Sequence, residues 1–164
     1  MPSLDETAPQ GVEVRETGRG KFQLQATTPS GTFLIDEPAA AGGLGSGPSP
    51  YDLLASALGA CTVMTLRLYA ERKAWPLRNV TVRVLHRRGD PESRERFARE
   101  IVLEGDLDEE QRRRLLEIAN RCPVHQSLER GVDLVTVLAE TPVAGHLDPD
   151  PADHVCHMIE ACQD

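Results

Sequence analysis

Residues 47–75 read GPSPYDLLASALGACTVMTLRLYAERKAW, and the way this stretch folds decides how the remainder is organised. Ser49 is a capping residue, and Pro50 follows at the first helical position, where a missing N–H costs nothing. Beyond it, Leu53, Leu54, Ala57, Leu58, Cys61, Met64, Leu68 and Tyr69 recur at spacings of three and four, and from Leu53 onward no charge appears before Arg67. The pattern predicts one long helix with this apolar face buried and with Pro76 as its stop. The run Ala55, Ser56, Ala57, Gly59, Ala60 lets another backbone approach closely, and Gly59 costs roughly 1 kcal/mol relative to Ala, which tertiary packing must offset. The uncharged part falls short of the ~20 apolar residues that a bilayer requires. A core helix is therefore expected, with Cys61 at its middle.

Upstream, residues 12–17, 21–28 and 32–36 read as short strands joined by Gly18-Arg19-Gly20 and Pro29-Ser30-Gly31, an antiparallel meander. Residues 37–48, EPAAAGGLGSGP, are too rich in Gly, Ala and Pro for regular structure and read as a mobile loop leading into the helix. Downstream, residues 79–88 set Val80, Val82, Val84 and His86 against Thr81, Arg83, Leu85 and Arg87, the period-two pattern of a strand with one apolar face. Residues 89–93 turn the chain into a partner strand at 95–105, marked by Phe97, Ile101 and Leu103.

Asp106 or Asp108 then caps a helix running to Arg121, apolar at Leu107, Leu115, Leu116, Ile118 and Ala119. Pro123 breaks it, so a second short helix, Val124 to Arg130, is expected to start afresh with Cys122 at or near its N-cap and Gly131 at its end. Residues 132–140 read as a last strand. Residues 1–140 form the expected domain. Residues 141–164, with Pro142, Pro149 and Pro151, form an extension with a short helical turn near Val155–Cys162.

A chain of 164 residues is large enough to bury roughly 70% of the surface its unfolded form exposes. The net charge of −8 argues against nucleic-acid and anionic-membrane surfaces, leaving a small or neutral ligand as the expected partner. The N-terminal residues carry no secretory pattern, so a cytoplasmic location with reduced thiols is expected. Cys61, Cys122, Cys156 and Cys162 are then catalytic, metal-binding or merely buried.

On residue type alone, Cys61 reads as an inert buried thiol. Cys122 changes that balance, because a thiol at a helix start meets free N–H groups and the positive end of the helix dipole, which favour thiolate. One cysteine in a core helix and one at a helix start can form a peroxidatic and resolving pair.

The segment GPSPYDLLASALGACTVMTL, together with NRCPVH, resembles the OsmC/Ohr family of thiol-dependent peroxidases over roughly residues 12–140. The resemblance implies an α+β fold, with antiparallel sheets wrapped around a long central helix in an intertwined homodimer. It also implies an organic hydroperoxide reductase active in oxidative stress defence. In that reading Cys61 attacks the peroxide, Cys122 condenses with the sulfenic acid, and a dithiol reductant resets the pair, with no cofactor and no metal. Arg19, in the Gly-Arg-Gly turn, matches the family's arginine and is expected to offset the desolvation of the Cys61 thiolate. The family's glutamate ten residues before the first cysteine is here Tyr51, and the adjacent Asp52 is the carboxylate expected to serve instead. Tyr51, Leu54, Leu58 and His125 are the expected substrate contacts, His125 also as a proton carrier.

Two other readings compete. A non-catalytic binding or carrier domain of the same fold would hold an apolar ligand at the dimer interface, and the loss of the family glutamate at Tyr51 favours it. The tail residues His146, His154, Cys156, His157 and Cys162 supply ligand types for zinc, although their spacing fits no finger pattern.

Overall fold

The computed structural model describes residues 11–89, 93–134, 136, 138 and 153–163. Its architecture is α+β, with antiparallel strands and one long helix. The chain divides into two compact units, residues 1–52 with 134–151 and residues 53–133 with 152–164.

In the first unit, β1 (Glu13–Glu16), β2 (Leu24–Thr28) and β3 (Gly31–Ile35) form an antiparallel meander. Its register pairs Glu16 with Leu24 and Leu24 with Ile35. The segment after β3, expected to be a mobile loop, is instead a held structure built on Asp36. This carboxylate accepts from the Glu37 N–H at 2.8 Å, the Leu44 N–H at 3.0 Å, the Ser46 N–H at 3.2 Å and the Ser46 hydroxyl at 2.7 Å. Burial alone would raise the Asp36 pKa, but these donors outweigh it and hold the carboxyl below its ordinary value. Gly43 fits here because a Cβ would stand 1.9 Å from the Glu37 carbonyl oxygen.

The central helix, α1, spans Pro50–Arg72. Its start is the predicted one: the Ser49 hydroxyl accepts from the Asp52 N–H at 3.2 Å, and Asp52 in turn accepts from the Ser49 N–H and hydroxyl at 3.0 and 2.8 Å. Its end differs from expectation. The chain leaves the helix before Pro76, through left-handed Ala74 (φ 52°), with the Ala74 N–H bonded to Glu71 O and the Trp75 N–H to Ala70 O. These are the two bonds of a Schellman motif, with alanine where glycine is the usual choice.

The buried face of α1 also differs. Leu58, Cys61, Thr62, Thr65, Leu66, Tyr69 and Ala70 are buried, while Leu54 and Met64 stay 43% and 51% exposed. Two threonines can lie inside because each hydroxyl is satisfied by the carbonyl four residues earlier, Leu58 O at 2.7 Å and Cys61 O at 2.8 Å.

In the second unit, β4 (Leu77–Arg87) and β5 (Arg96–Gly105) form a two-stranded antiparallel sheet. As predicted, Val80, Val82, Val84 and His86 face inward, and Val84 lies 3.4 Å from where a Cβ on Gly59 of α1 would stand. Helix α2 (Glu109–Ala119) is capped by Asp108, not Asp106, in a reciprocal box with Gln111. Leu115, Ile118 and Ala119 of α2 complete a core with Leu66, Tyr69 and Ala70 of α1 and Leu77 and Val80 of β4. Helix α3 spans Pro123–Arg130 with Cys122 as N-cap, and α4 spans Asp153–Ala161.

The strand expected at 132–140 is not formed by its described residues 132–134, 136 and 138, and its other residues lie outside the described set. The centre of the 89–93 turn lies outside that set too. By length and composition α1 passes as a membrane span, but its buried residues pack against β4 and α2 as part of a protein core.

Candidate active site

Helices α1 and α3 bring the two sequence-predicted cysteines together. Cys61 sits at the middle of α1, and Cys122 is the extended residue that precedes Pro123 at the start of α3. With Leu58 they form one buried cluster walled by Val84, Phe97 and Val124. Cys61 is 2% exposed and Cys122 0%. Both are free thiols, near enough for each to shift the ionisation of the other.

The first amides of α3 point at these sulfurs. Val124 N–H donates to Cys61 Sγ at 3.5 Å and His125 N–H to Cys122 Sγ at 3.4 Å, while Thr62 Oγ1 lies 3.6 Å from Cys122 Sγ. These are N–H groups that a helix start leaves without intrahelical partners. The hydrogen bond from Cys61, supported by the His125 amide, Thr62 and the charge of Arg99, brings the Cys122 pKa down to about 6 against the opposing effect of burial. The same thiol–thiol hydrogen bond, together with burial, pushes the Cys61 thiol far above its ordinary range, with the Val124 amide opposing. The pair therefore loses one proton easily and holds the second. The negative charge rests on Cys122, which has the helix start and the arginine.

Arg99 has no counterpart in the sequence expectations. From β5 its guanidinium donates to Thr62 Oγ1, Ala119 O and Asn120 Oδ1, each at 2.8 Å, and to His125 Nδ1 at 3.0 Å. Because arginine only donates, Nδ1 of His125 must be the acceptor, which places the ring proton on Nε2, 3.5 Å from Glu129 Oε2. One side chain thus ties α1, the end of α2 and the start of α3 around Cys122. The signal for it lay in the strand period: Phe97, Arg99, Ile101 and Leu103 share the inward face of β5, and an arginine among them needs a reason.

A second side chain, weighed from sequence only as a zinc ligand, is His154 of α4, whose Nε2 lies 3.3 Å from Cys61 Sγ. The tail residues considered for zinc are turned to different surroundings. His154 meets Cys61, Cys162 is buried with its thiol 3.7 Å from Thr65 O, and Cys156 is exposed. Among the described residues no group of three ligands gathers, and His146 lies outside them.

Of the residues expected to contact substrate, Leu58 is in the thiol cluster and His125 is half-buried. Leu54 is exposed and takes no part in that cluster. Arg19, Tyr51 and Asp52 belong to the first unit, the cysteines to the second. Arg19 is exposed in its turn, its backbone N–H bonded to Thr17 Oγ1 at 3.2 Å. The Asp52 carboxylate is engaged by Ser49, which holds its pKa below the ordinary value. Its observed role is that of a helix cap.

Residues 43–137 match the family model described as OsmC-like protein. The chain belongs to the OsmC-like family. Solved structures of similar fold include an OsmC like protein from Mycoplasma pneumoniae (20% identity, 77% of this chain and 89% of that one, TM-score 0.61). An organic hydroperoxide resistance protein OsmC from Legionella pneumophila aligns at 22% identity over 74% and 90% of the two chains, TM-score 0.57. The organic hydroperoxide resistance protein OhrB of Bacillus subtilis aligns at 25% identity over 76% and 93%, TM-score 0.54. No curated protein matches the chain significantly. The family is linked to hydroperoxide resistance, and its matched region contains both cysteines, Arg99 and His125 but stops short of α4.

Proposed function

We propose that this OsmC-like protein is a thiol-dependent peroxidase that reduces organic hydroperoxides through Cys61 and Cys122. The observation that carries this reading is the meeting of the two thiols in one apolar cluster, where Leu58, Val84, Phe97 and Val124 suit an alkyl group and amide donors converge on the sulfurs. Cys61 as thiolate attacks the terminal peroxide oxygen, the O–O bond breaks, and the alkoxide takes a proton to leave as alcohol. The Cys122 thiolate then attacks the sulfur of the Cys61 sulfenic acid, forming a disulfide as the S–O bond breaks and hydroxide leaves to take a proton from solvent as water, and a dithiol reduces the disulfide. Arg99 and the start of α3 keep Cys122 ionised for that second step.

Arg19 remains the proposed second cation for the peroxide. The exposed residues Leu54, Ala57, Ala60 and Met64 of α1 are the surface a second copy of the chain would cover in a homodimer, an arrangement that mass determination in solution tests. A cytoplasmic setting keeps both thiols reduced between turnovers.

Steady-state assay with an alkyl hydroperoxide and a dithiol tests the function. Turnover is expected for the native chain, none for Cys61→Ser, and for Cys122→Ser progressive overoxidation of Cys61. Absence of turnover with no thiol loss at Cys61 would leave the binding-domain reading in its place.

A further inference from the structure

Helix α4 lies beyond the end of the family match at residue 137, yet it is packed into the thiol site of this chain. Met158 and Cys162 are buried. The Cys162 thiol donates to Thr65 O at 3.7 Å, and Arg72 of α1 donates to Ile159 O at 3.4 Å. So anchored, α4 carries a half-buried His154 whose Nε2 is 3.3 Å from Cys61 Sγ. We propose that His154 is a catalytic residue of this chain, the base that takes the Cys61 proton and then returns it to the departing alkoxide. The inference rests on the peroxidase reading above.

The geometry gives the single S–H of Cys61 two acceptors. Donated to the Cys122 sulfur, it stabilises charge on Cys122 and leaves Cys61 a poor nucleophile. Donated to the imidazole, it leaves a Cys61 thiolate beside an imidazolium, the arrangement that activates a cysteine. Nε2 accepts in the tautomer that carries the proton on Nδ1. The steps then balance. The Cys61 proton passes to Nε2, the thiolate sulfur attacks the terminal oxygen of the hydroperoxide, an S–O bond forms, and the O–O bond breaks with its electron pair leaving on the alkoxide. The imidazolium returns the proton to that alkoxide. Cys61 ends as the sulfenic acid, the peroxide as the alcohol, and His154 as it began. His125 does not serve here because Arg99 occupies its Nδ1, and His157 is exposed.

The test uses the full chain carrying Cys122→Ser, so that Cys61 reacts without its partner. Peptide mapping follows two reactions at Cys61: alkylation by iodoacetamide, and sulfenic acid formation with tert-butyl hydroperoxide trapped by dimedone. His154→Ala is expected to slow both by about 10²-fold, in the usual range for general acid–base catalysis, with partial recovery on adding imidazole. His154→Gln, which keeps hydrogen-bonding reach without a usable base, is expected to stay slow. Protection of Cys162 from alkylation reports that α4 remains seated, and if His154→Ala unseats it, the His154→Gln rates decide. An unchanged or faster Cys61, slowing that imidazole does not relieve, or full activity in His154→Gln would overturn the proposal and leave α4 as a cover. Iodoacetamide results as expected without any sulfenic acid from the Cys122→Ser chain with His154 intact would sink the peroxidase reading while keeping the proton transfer from Cys61 to His154.

Discussion

Asp36 in the first unit and the Cys61–Cys122 pair in the second are ionisable groups hidden to a similar depth, with Asp36 1%, Cys61 2% and Cys122 0% exposed. The carboxylate is surrounded by hydrogen-bond donors and meets no competing acceptor among the described residues, so its charge is settled and serves to hold residues 37–46. The thiols are placed so that one proton has several claimants: two sulfurs and the His154 ring. Burial by itself does not separate scaffold from chemistry. The difference lies in whether the donors and acceptors around the group balance.

The largest effect that sharpens this contrast is in the thiol titration. In a Cys156→Ser chain, which removes the exposed thiol, absorbance near 240 nm should show one thiolate appearing with an apparent pKa of about 6 and the Cys61 thiol remaining protonated well beyond it. Because the folded pKa of Cys122 is depressed, its contribution to stability is present above the unfolded thiol value and is lost as pH falls through about 6. Two independent thiols titrating together near the ordinary value would erase the distinction.

Arg99→Met comes next. It leaves Ala119 O, Asn120 and His125 without their donor, and a loss of about 2 kcal/mol in urea denaturation is expected, as for breaking a partly buried network. The Cys122 pKa should rise with it, since the arginine charge is one of the effects holding it down.

Asp36→Asn should lower the urea midpoint at neutral pH while leaving the thiol titration in place, and the deficit should narrow in acid. The sign follows from its depressed pKa: the stabilisation is present above the unfolded carboxyl value and disappears as pH falls through the lower folded one. A midpoint deficit that persists unchanged in acid would contradict a charge-based origin. Smallest of all, Ala74→Gly should stabilise by roughly 0.5–1 kcal/mol by relieving a left-handed alanine, with no change at the thiols.

The features legible in the sequence are those set by neighbours along the chain. Ser49, Asp108 and Cys122 announce helix starts through caps acting within three residues, and the inward set Val80, Val82, Val84 and His86 announces β4 by period. The true stop of α1 is hidden because Pro76 is an evident breaker, whereas a Schellman turn through alanine leaves little compositional mark. Its buried face is hidden because Thr62 and Thr65 look polar until their hydroxyls are seen to bond within their own helix. Cys61 and Cys122 can be paired from sequence only through a family resemblance. Arg99 and His154 reach the site from 37 and 93 positions away in sequence, and such contacts leave no local trace.

Whether Cys61 and Cys122 are redox partners is best decided by mixing reduced protein with one equivalent of an alkyl hydroperoxide, without reductant, and mapping the products by non-reducing peptide mass spectrometry. The expected result is consumption of the peroxide with a single new cross-link, Cys61 to Cys122, and one alcohol formed per chain. Peroxide left intact with both cysteines still free, or oxidation confined to the exposed Cys156, would contradict the redox pair.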